Sequence, residues 1–182
     1  MATAVAPKPS TSAPVSAPAR SEGQKTYAPQ PRFALWKPNR EKKGNAAIIE
    51  YSIEKGCFFL RMLPESGQES PKFDNSKAIT AKLGISDVGE IIAVLTGRRE
   101  ALGHKDEKTG YWSGLYHENA NGSSSINLSP GTAGMILGLS VKKDGPPTRY
   151  SVGVTPGEQE VLRVFFEKYL GEMFLAQDRA SE

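Results

Sequence analysis

The chain has few of the residues on which covalent bridges and many metal sites depend. Its 182 residues include one cysteine, Cys57, and two histidines. A single cysteine cannot form a disulfide within the chain, and the paired cysteines of a structural zinc site are absent. The sequence therefore predicts no metal site and no cofactor, and it favours a reducing compartment.

Catalytic signatures are also scarce. The glycine-rich stretch GTAGMILG lacks the lysine of a phosphate-binding P-loop, and no GxSxG nucleophile elbow occurs. Cys57 has no histidine near it in sequence, which favours an inert thiol. His117 has no second metal ligand nearby, which favours a hydrogen-bonding role. We predict that the protein is not an enzyme, has no catalytic residue and takes no small-molecule substrate.

No apolar run approaches the roughly 20 residues that span a bilayer, and the first residues lack the apolar core of a secretory signal. Hydrophobic residues make up 38% and charged residues 24% of the chain, as in globular domains. The net charge is only +3, and residues 156–182 have six acidic against three basic side chains. These features predict a soluble intracellular protein, in the cytoplasm or nucleoid, with no membrane partner.

Residues 1–31 have almost no large apolar side chains. Alanine, proline and serine dominate this segment, so it cannot bury enough surface to offset the entropy of ordering, and we predict a disordered tail. A weakly cationic arm is one interpretation. A transit peptide for an organelle is the alternative, since the segment is rich in serine and nearly free of acidic residues. The length then leaves one domain at 32–176 and a short C-terminal tail at 177–182.

Short β-type segments occur in two groups of four, separated by glycine, proline and asparagine. They are FALWKP, NAAIIEYSI, GCFFLRMLP and SKAITAKLG, then YWSGLYHEN, SSSINLSP, GMILGLSVKK and TRYSVGVTP. An amphipathic helical pattern follows each group: 85–97, with Ser86 or Asp87 as N-cap and Gly97 at its end, and 156–174, with Thr155 as N-cap.

The repeated order predicts an α+β fold. A duplicated ββββα unit would form two antiparallel four-stranded sheets packed with two helices. The alternative is a chance succession of strands and helices in a single α+β domain.

Alternation along the strands assigns side chains to two faces. The alternate positions 58, 60 and 62 are all apolar, so Phe58, Leu60 and Met62 should face the helices. The opposite faces then carry cations and an aromatic ring: Phe59, Arg61, Lys82, Lys142 and Arg149. Sequence-tolerant binding of a single strand uses this mixture, because cations contact phosphates and aromatic faces stack on bases. The alternative is that these cations only keep the second face soluble.

Three further residues are candidates for the same interface. Lys43 belongs to the cationic segment that precedes the second strand. Trp36 and Trp112 lie in or beside the first strand of each group, and periodicity leaves both a core position and a stacking position open for them.

The last helix has a broad apolar stripe that extends from Val161 to Phe174. This surface exceeds what one sheet face needs, and surplus apolar helix surface favours self-association. The predicted contact residues are Phe165, Tyr169, Met173 and Phe174. The alternatives are a dimer, or a monomer in which both helices pack across the two sheets and cover the stripe.

Three stretches resemble the Whirly family of single-stranded-DNA-binding proteins and, more distantly, the transcriptional positive-cofactor family, which has one ββββα unit per chain. KGNAAI (43–48) is similar to the family's KGKAAL signature. FDNSKAITAKLGISDVGEI (73–91) resembles the strand-to-helix joint, and GLYHENANG followed by LGLSV resembles the second repeat. Two positions depart from the pattern: Asn45 replaces the second lysine of the signature, and Asn75 stands where an aromatic residue is common.

The resemblance implies sheets packed like propeller blades, a homotetramer formed through the helices, and single strands lying along the edges and faces of the sheets. The function it implies is sequence-independent binding of single-stranded DNA in replication, repair or transcription. RNA binding by the same fold and a protein-interaction scaffold are the alternatives.

Overall fold

The computed structural model describes residues 30–70, 72–120 and 122–180, with side chains up to residue 177. The first repeat contains β1 (Arg32–Lys37), β2 (Asn45–Ser52), β3 (Cys57–Pro64), β4 (Ile79–Leu83) and helix α1 (Ile85–Leu95). The second contains β5 (Leu115–Asn119), β6 (Gly122–Gly131), β7 (Gly134–Lys142), β8 (Thr148–Val154) and helix α2 (Pro156–Ala180). The predicted disordered tail and its alternative, a transit peptide, concern residues 1–31, of which residues 1–29 lie outside the described part of the chain.

Each group of strands forms its own antiparallel sheet. The strand orders are β1-β2-β3-β4 in the first sheet and β5-β6-β7-β8 in the second. Every strand pairs with its neighbour in sequence, and a helix follows each sheet. The predicted duplication of a ββββα unit is confirmed.

The inner faces of both sheets and the two helices share one hydrophobic core. Phe58, Leu60 and Met62 are fully buried in it, as their alternation predicts, and Leu137, Leu139 and Val152 supply the second sheet's part. An aromatic cluster fastens α2 to the first sheet: the Tyr51 ring stacks on Tyr169 at 4.9 Å, and Phe58 meets Phe166 edge-on at 4.9 Å. The last helix therefore packs on the first repeat as well as on its own.

Polar contacts also join the two repeats. Lys37 Nζ on β1 lies 2.6 Å from Glu158 Oε1 at the start of α2. Asn45 Nδ2 donates to the carbonyl of Ser151 at 3.0 Å, so the asparagine that departs from the Whirly signature ties β2 to β8. The Tyr150 hydroxyl donates to the Lys77 carbonyl at 3.2 Å.

Several boundaries differ from the sequence predictions. The N-cap of α1 is Gly84, not Ser86 or Asp87; Asp87 lies in the first turn and its carboxylate accepts the Gly84 N–H at 2.7 Å. Strand β5 begins only at Leu115, because Gly114, with φ +72°, breaks the extended run. Helix α2 continues to Ala180, so residues 177–180 are helical and not a tail, since no glycine or proline follows Gly171 to end it.

Gly56, the last residue of the β2–β3 turn, is expected to be sensitive to substitution. Its φ is +54°, and a Cβ placed there would lie 2.4 Å from the Cβ of Ala176 on α2. Gly56→Ala should therefore combine backbone strain with overpacking and cost about 2–4 kcal/mol of unfolding free energy. Chemical denaturation measures this loss.

Gly67→Ala is the matched control, since Gly67 has φ +78° but no atom lies within 4 Å of the position that a Cβ would take. It should cost only the backbone part, about 1 kcal/mol. Adding Ala176→Gly should restore part of the stability of Gly56→Ala but none of that of Gly67→Ala. Equal losses at both glycines would show that α2 does not press on the turn.

Glu158 should make the stability of the domain depend on pH. Partial burial opposes its ionisation, but hydrogen bonds from Lys37 and Thr155 outweigh it, so the pKa of Glu158 lies below its usual value. A lowered folded-state pKa stabilises the protein above the unfolded pKa, and this stabilisation is lost as the pH falls through the folded value. Glu158→Gln, which keeps the capping geometry, should cost about 1 kcal/mol at pH 7.

The difference between wild type and Glu158→Gln should shrink as the pH falls below about 4.3, the ordinary pKa of a glutamate, towards the lowered pKa of folded Glu158. Denaturation at pH 7 and pH 3 checks this. Glu160→Gln is the control, because Glu160 pairs only with Arg163 on the exposed surface of the same helix, and it should have a smaller effect. If Glu158→Gln lowers the unfolding free energy by the same amount at both pH values, the ion pair between Lys37 and Glu158 does not stabilise the domain.

Candidate nucleic-acid interface

An open groove of about 510 Å³ lies on the outer face of the second sheet. We call it the sheet-2 groove. Strand alternation places small and polar side chains on its floor: Ser125, Asn127, Gly138, Ser140 and Ser151. Because none of these side chains is large, a ligand can approach the backbone of the sheet closely.

Aromatic residues form one rim of the sheet-2 groove. Tyr111 is 77% exposed, and Trp112 lies beside it with Lys105 Nζ 5.8 Å from the centre of its ring. Two hydrogen bonds hold this rim to the floor: Asn127 Nδ2 donates to the Trp112 carbonyl at 3.2 Å, and Ser125 Oγ donates to the Ser113 carbonyl at 3.1 Å. Trp112 therefore occupies the rim of a groove and is only partly buried.

The opposite rim carries the positive charge. Arg149 on β8 is exposed and lies across from Ser140, while Asn45 closes the groove from the first repeat. Tyr116, which is 64% exposed, shares this face and pairs with Ser125. Among the described residues that line the groove, none is acidic, so the site suits an anion that also carries flat rings.

The outer face of the first sheet is partly closed. The segment after β3 returns over it and buries Phe73 against Ala46 and Leu63. The Trp36 ring lies 5.1 Å from that of Phe73 and remains 52% exposed. Trp36 thus flanks a small second core, which covers this end of the face.

The remaining part of this face holds the other predicted residues. Phe59 is half-buried, with Lys55 Nζ 5.3 Å from its ring centre, and it lies directly across from Lys82. Arg61 donates to Asn75 Oδ1 at 3.2 Å, so the second asparagine that departs from the family pattern orients a predicted binding cation. Lys43 is exposed in the β1–β2 loop, 3.3 Å from Glu41, and does not line the sheet-2 groove.

A second, smaller groove of about 320 Å³ lies where β4 of the first sheet meets β7 of the second. We call it the seam groove. Lys82 and Lys142, which the sequence assigns to different repeats, both line it, together with Lys143 and His117. The fold therefore brings two of the predicted cations together.

The sequence prediction did not include four residues of these sites: Tyr111, Tyr116, His117 and Lys143. Alternation could have identified Tyr116, because it lies on the outer face of β5 opposite Ser125. Tyr111 lies in a loop, and Lys143 lies just beyond β7, so strand alternation does not place either of them.

The described residues show little that suits catalysis. Burial raises the pKa of the Cys57 thiol, against the opposing charges of Lys82 and Lys55, which keeps it protonated near neutral pH. No cluster of three or more metal-ligating side chains occurs in the described part of the chain. Within the same part, no helix is long and apolar enough to cross a membrane.

The predicted self-association residues differ in their surroundings. Met173 is 1% exposed and belongs to the core of the protomer. Phe165 and Tyr169 are partly buried in the aromatic cluster with Phe58. Phe174 is 51% exposed and is accompanied on the outside of α2 by Val161, Val164 and Leu175. The exposed apolar side chains of α2 are therefore Val161, Val164 and Phe174 of the predicted stripe, together with Leu175 just beyond it.

No family model matches the sequence, and a search of curated protein sequences gives no match. Solved structures do match. The crystal structure of WHY1 from Arabidopsis thaliana aligns with a TM-score of 0.59 and 16% identity over 85% of this chain and 94% of that chain.

The plant transcriptional regulator PBF-2 aligns with a TM-score of 0.60 and 15% identity over 86% of this chain and 88% of that chain. A guide-RNA-binding protein complex bound to a guide RNA aligns with a TM-score of 0.56 and 15% identity over 78% of this chain and 90% of that chain. Together with the two sheets and their helices, these alignments show that the chain has a Whirly-like fold.

Proposed function

We propose that this protein binds single-stranded DNA without catalysing a reaction and largely without regard to sequence. The sheet-2 groove is the observation that carries the proposal. It combines an aromatic rim at Tyr111 and Trp112, a floor of small residues and a cation at Arg149. Stacking on the rim contributes about 1–3 kcal/mol per base and is tolerant of sequence, since every base has a π-face.

The open shape of the groove supports a single strand over a duplex. Base faces are available for stacking only where the strand is unpaired, and the exposed rings of Tyr111 and Tyr116 suit such contacts. Phe59, Arg61 and Lys82 offer the same combination on the open part of the first sheet. A strand that contacts both sheets would use the residues that alternation predicts.

RNA is the second candidate ligand. The alignment with a guide-RNA-binding complex favours it, and stacking on Tyr111 or Trp112 does not distinguish the two sugars. A protein that binds exposed single-stranded DNA would act in replication, repair or transcription. The alignment with a plant transcriptional regulator favours the last of these.

Fluorescence anisotropy with labelled single-stranded DNA, single-stranded RNA and duplex DNA at two salt concentrations tests the proposal. We expect tight, salt-dependent binding of the DNA strand and weak binding of the duplex, because phosphate neutralisation releases counterions. Tighter binding of the RNA strand would select the second candidate. A lack of binding to every strand, or binding that salt does not change, would leave a protein-interaction scaffold as the better description.

We further propose that the protein forms a homotetramer through α2. Val161, Val164, Phe174 and Leu175 are each about half exposed on this helix. These side chains form one exposed apolar pair near the start of the helix and another near its end, and exposed apolar surface favours association of identical copies in a closed symmetry.

A further inference from the structure

The seam groove is lined by three lysines, of which only Lys82 belongs to the strand contacts proposed above. Lys82, Lys142 and Lys143 all line it, and each is exposed. Among the described residues of its lining, none is acidic, and no ion pair within the described part of the chain involves these three lysines. Three cations around about 320 Å³ repel one another unless an anion lies between them.

The other walls of the seam groove can donate hydrogen bonds to such an anion. The hydroxyl-bearing residues Thr80, Ser123 and Ser124 line it. Gly122, with φ +125°, lets the β6 backbone approach Lys142 closely, since a Cβ there would meet the Lys142 carbonyl at 2.1 Å. The walls are therefore small and polar, and they leave space for a tetrahedral oxyanion.

His117 is held in place at the base of this groove. Its Nε2 lies 3.1 Å from Asp87 Oδ1, and the other oxygen of Asp87 accepts the Gly84 N–H at the start of α1 at 2.7 Å. The carboxylate that contacts His117 is thus already engaged with the histidine and the helix. This arrangement leaves the three lysines as the charges that face the groove.

We propose that the seam groove is a phosphate-binding site that fixes the strand where the two sheets meet. The inference rests on the proposed function, because the phosphate is supplied by the bound strand. Lys82 also lies across from Phe59 on the first sheet, and Lys142 lies across from Ser123 on the second. A phosphate held between them connects the contacts of the two repeats on one strand.

The phosphate has two possible sources in a strand. An internal phosphodiester carries one negative charge, whereas a terminal phosphomonoester carries about −1.5 to −2 near neutral pH. Both bind through the same lysines, and the higher charge of the terminal group matches three cations better. A strand with a 5′-phosphate, a strand with a 3′-phosphate and a strand with neither separate the two sources.

The test measures anisotropy of these three labelled 12-nucleotide DNA strands, over a range of salt concentrations, with the full chain. Lys143→Ala is the informative variant, because Lys143 belongs to neither the sheet-2 groove nor the Phe59 face. Arg98→Ala is the control, since Arg98 is an exposed cation that follows α1 and lines neither the sheet-2 groove nor the seam groove. Melting temperatures of both variants check that the fold is kept.

We expect Lys143→Ala to lower the slope of log affinity against log salt by about 0.7, the value for one phosphate of a single strand, and Arg98→Ala to leave the slope unchanged. If the phosphate is terminal, a 5′- or 3′-phosphate should tighten wild-type binding roughly five-fold, and Lys143→Ala should remove the gain. A reduced slope with no terminal preference supports an internal phosphodiester.

Unchanged slope in Lys143→Ala, together with equal affinity for all three strands, overturns the seam site. That result leaves the proposed function intact as long as the wild type binds the unphosphorylated strand in a salt-dependent manner. If the wild type binds no strand, the proposed function fails first. The two failures are therefore distinguishable.

Discussion

Replacing Gly138 with phenylalanine should lower the affinity for single-stranded DNA by at least about ten-fold, because the new ring would fill the sheet-2 groove and exclude bases worth roughly 1–3 kcal/mol each. Gly138 lies on the groove floor between Asn127 and Ser151. A Cβ at this position meets its nearest neighbours at 3.7 Å, an ordinary contact distance. The substitution therefore fills the groove without pressing on the core.

Two control variants separate groove filling from other effects. Gly138→Ala adds only the tolerated Cβ and should bind nearly as the wild type does. Gly89→Phe adds the same ring to the exposed side of α1, where nothing lies within 4 Å of the added Cβ. Anisotropy gives the affinities, and thermal melts should show similar stability for all three proteins. Wild-type affinity in Gly138→Phe would place the strand elsewhere.

The sequence predicted the faces of the strands well, because alternation has a fixed period. Phe58 and Leu60 are buried while Lys82 is exposed, and the second sheet follows the same rule at Leu137 and Arg149. The sequence also predicted the duplication, because each group of four β-type segments is followed by an amphipathic helical pattern. These are local consequences of strand and helix geometry.

The form of the site depends on contacts between distant segments, which periodicity does not encode. The duplicated pattern does not distinguish the outer faces of the two sheets, yet the return of Phe73 over Ala46 closes one face, and the Tyr111 loop builds a rim on the other. Lys82 and Lys142 are 60 positions apart in sequence and meet only because β4 contacts β7. Such asymmetry follows from tertiary packing of loops, whose residues have no regular pattern.

The same reason explains why only part of the predicted apolar stripe of α2 is exposed. Helical periodicity identified a stripe but could not determine how far around the helix the first repeat would reach. The aromatic cluster of Tyr51 and Phe58 covers Phe165 and Tyr169, and Met173 is enclosed completely. Phe174 is the predicted contact residue whose side chain remains more than half exposed.

Val164→Glu should convert the proposed tetramer into smaller species. Val161, Val164 and Leu175 are separated by 3 and 11 residues, which places them on one side of α2, and Val164 is 50% exposed one turn from Val161. A carboxylate at this position would lose its hydration at an interface between copies, which costs several kcal/mol at each contact. In the isolated protomer it remains in water, one turn from Lys168, and should leave the fold intact.

Light scattering on a sizing column measures the mass of each variant at micromolar concentration. Phe174→Glu should act like Val164→Glu, whereas Ser86→Glu, which adds the same charge to the exposed start of α1, should stay tetrameric. Met173→Glu is not informative, because its side chain is buried and its replacement would unfold the protomer. A monomeric wild type would reject the assembly. A tetrameric Val164→Glu variant would place the interface away from Val164, since the burial of one added carboxylate in every copy would weaken a contact there.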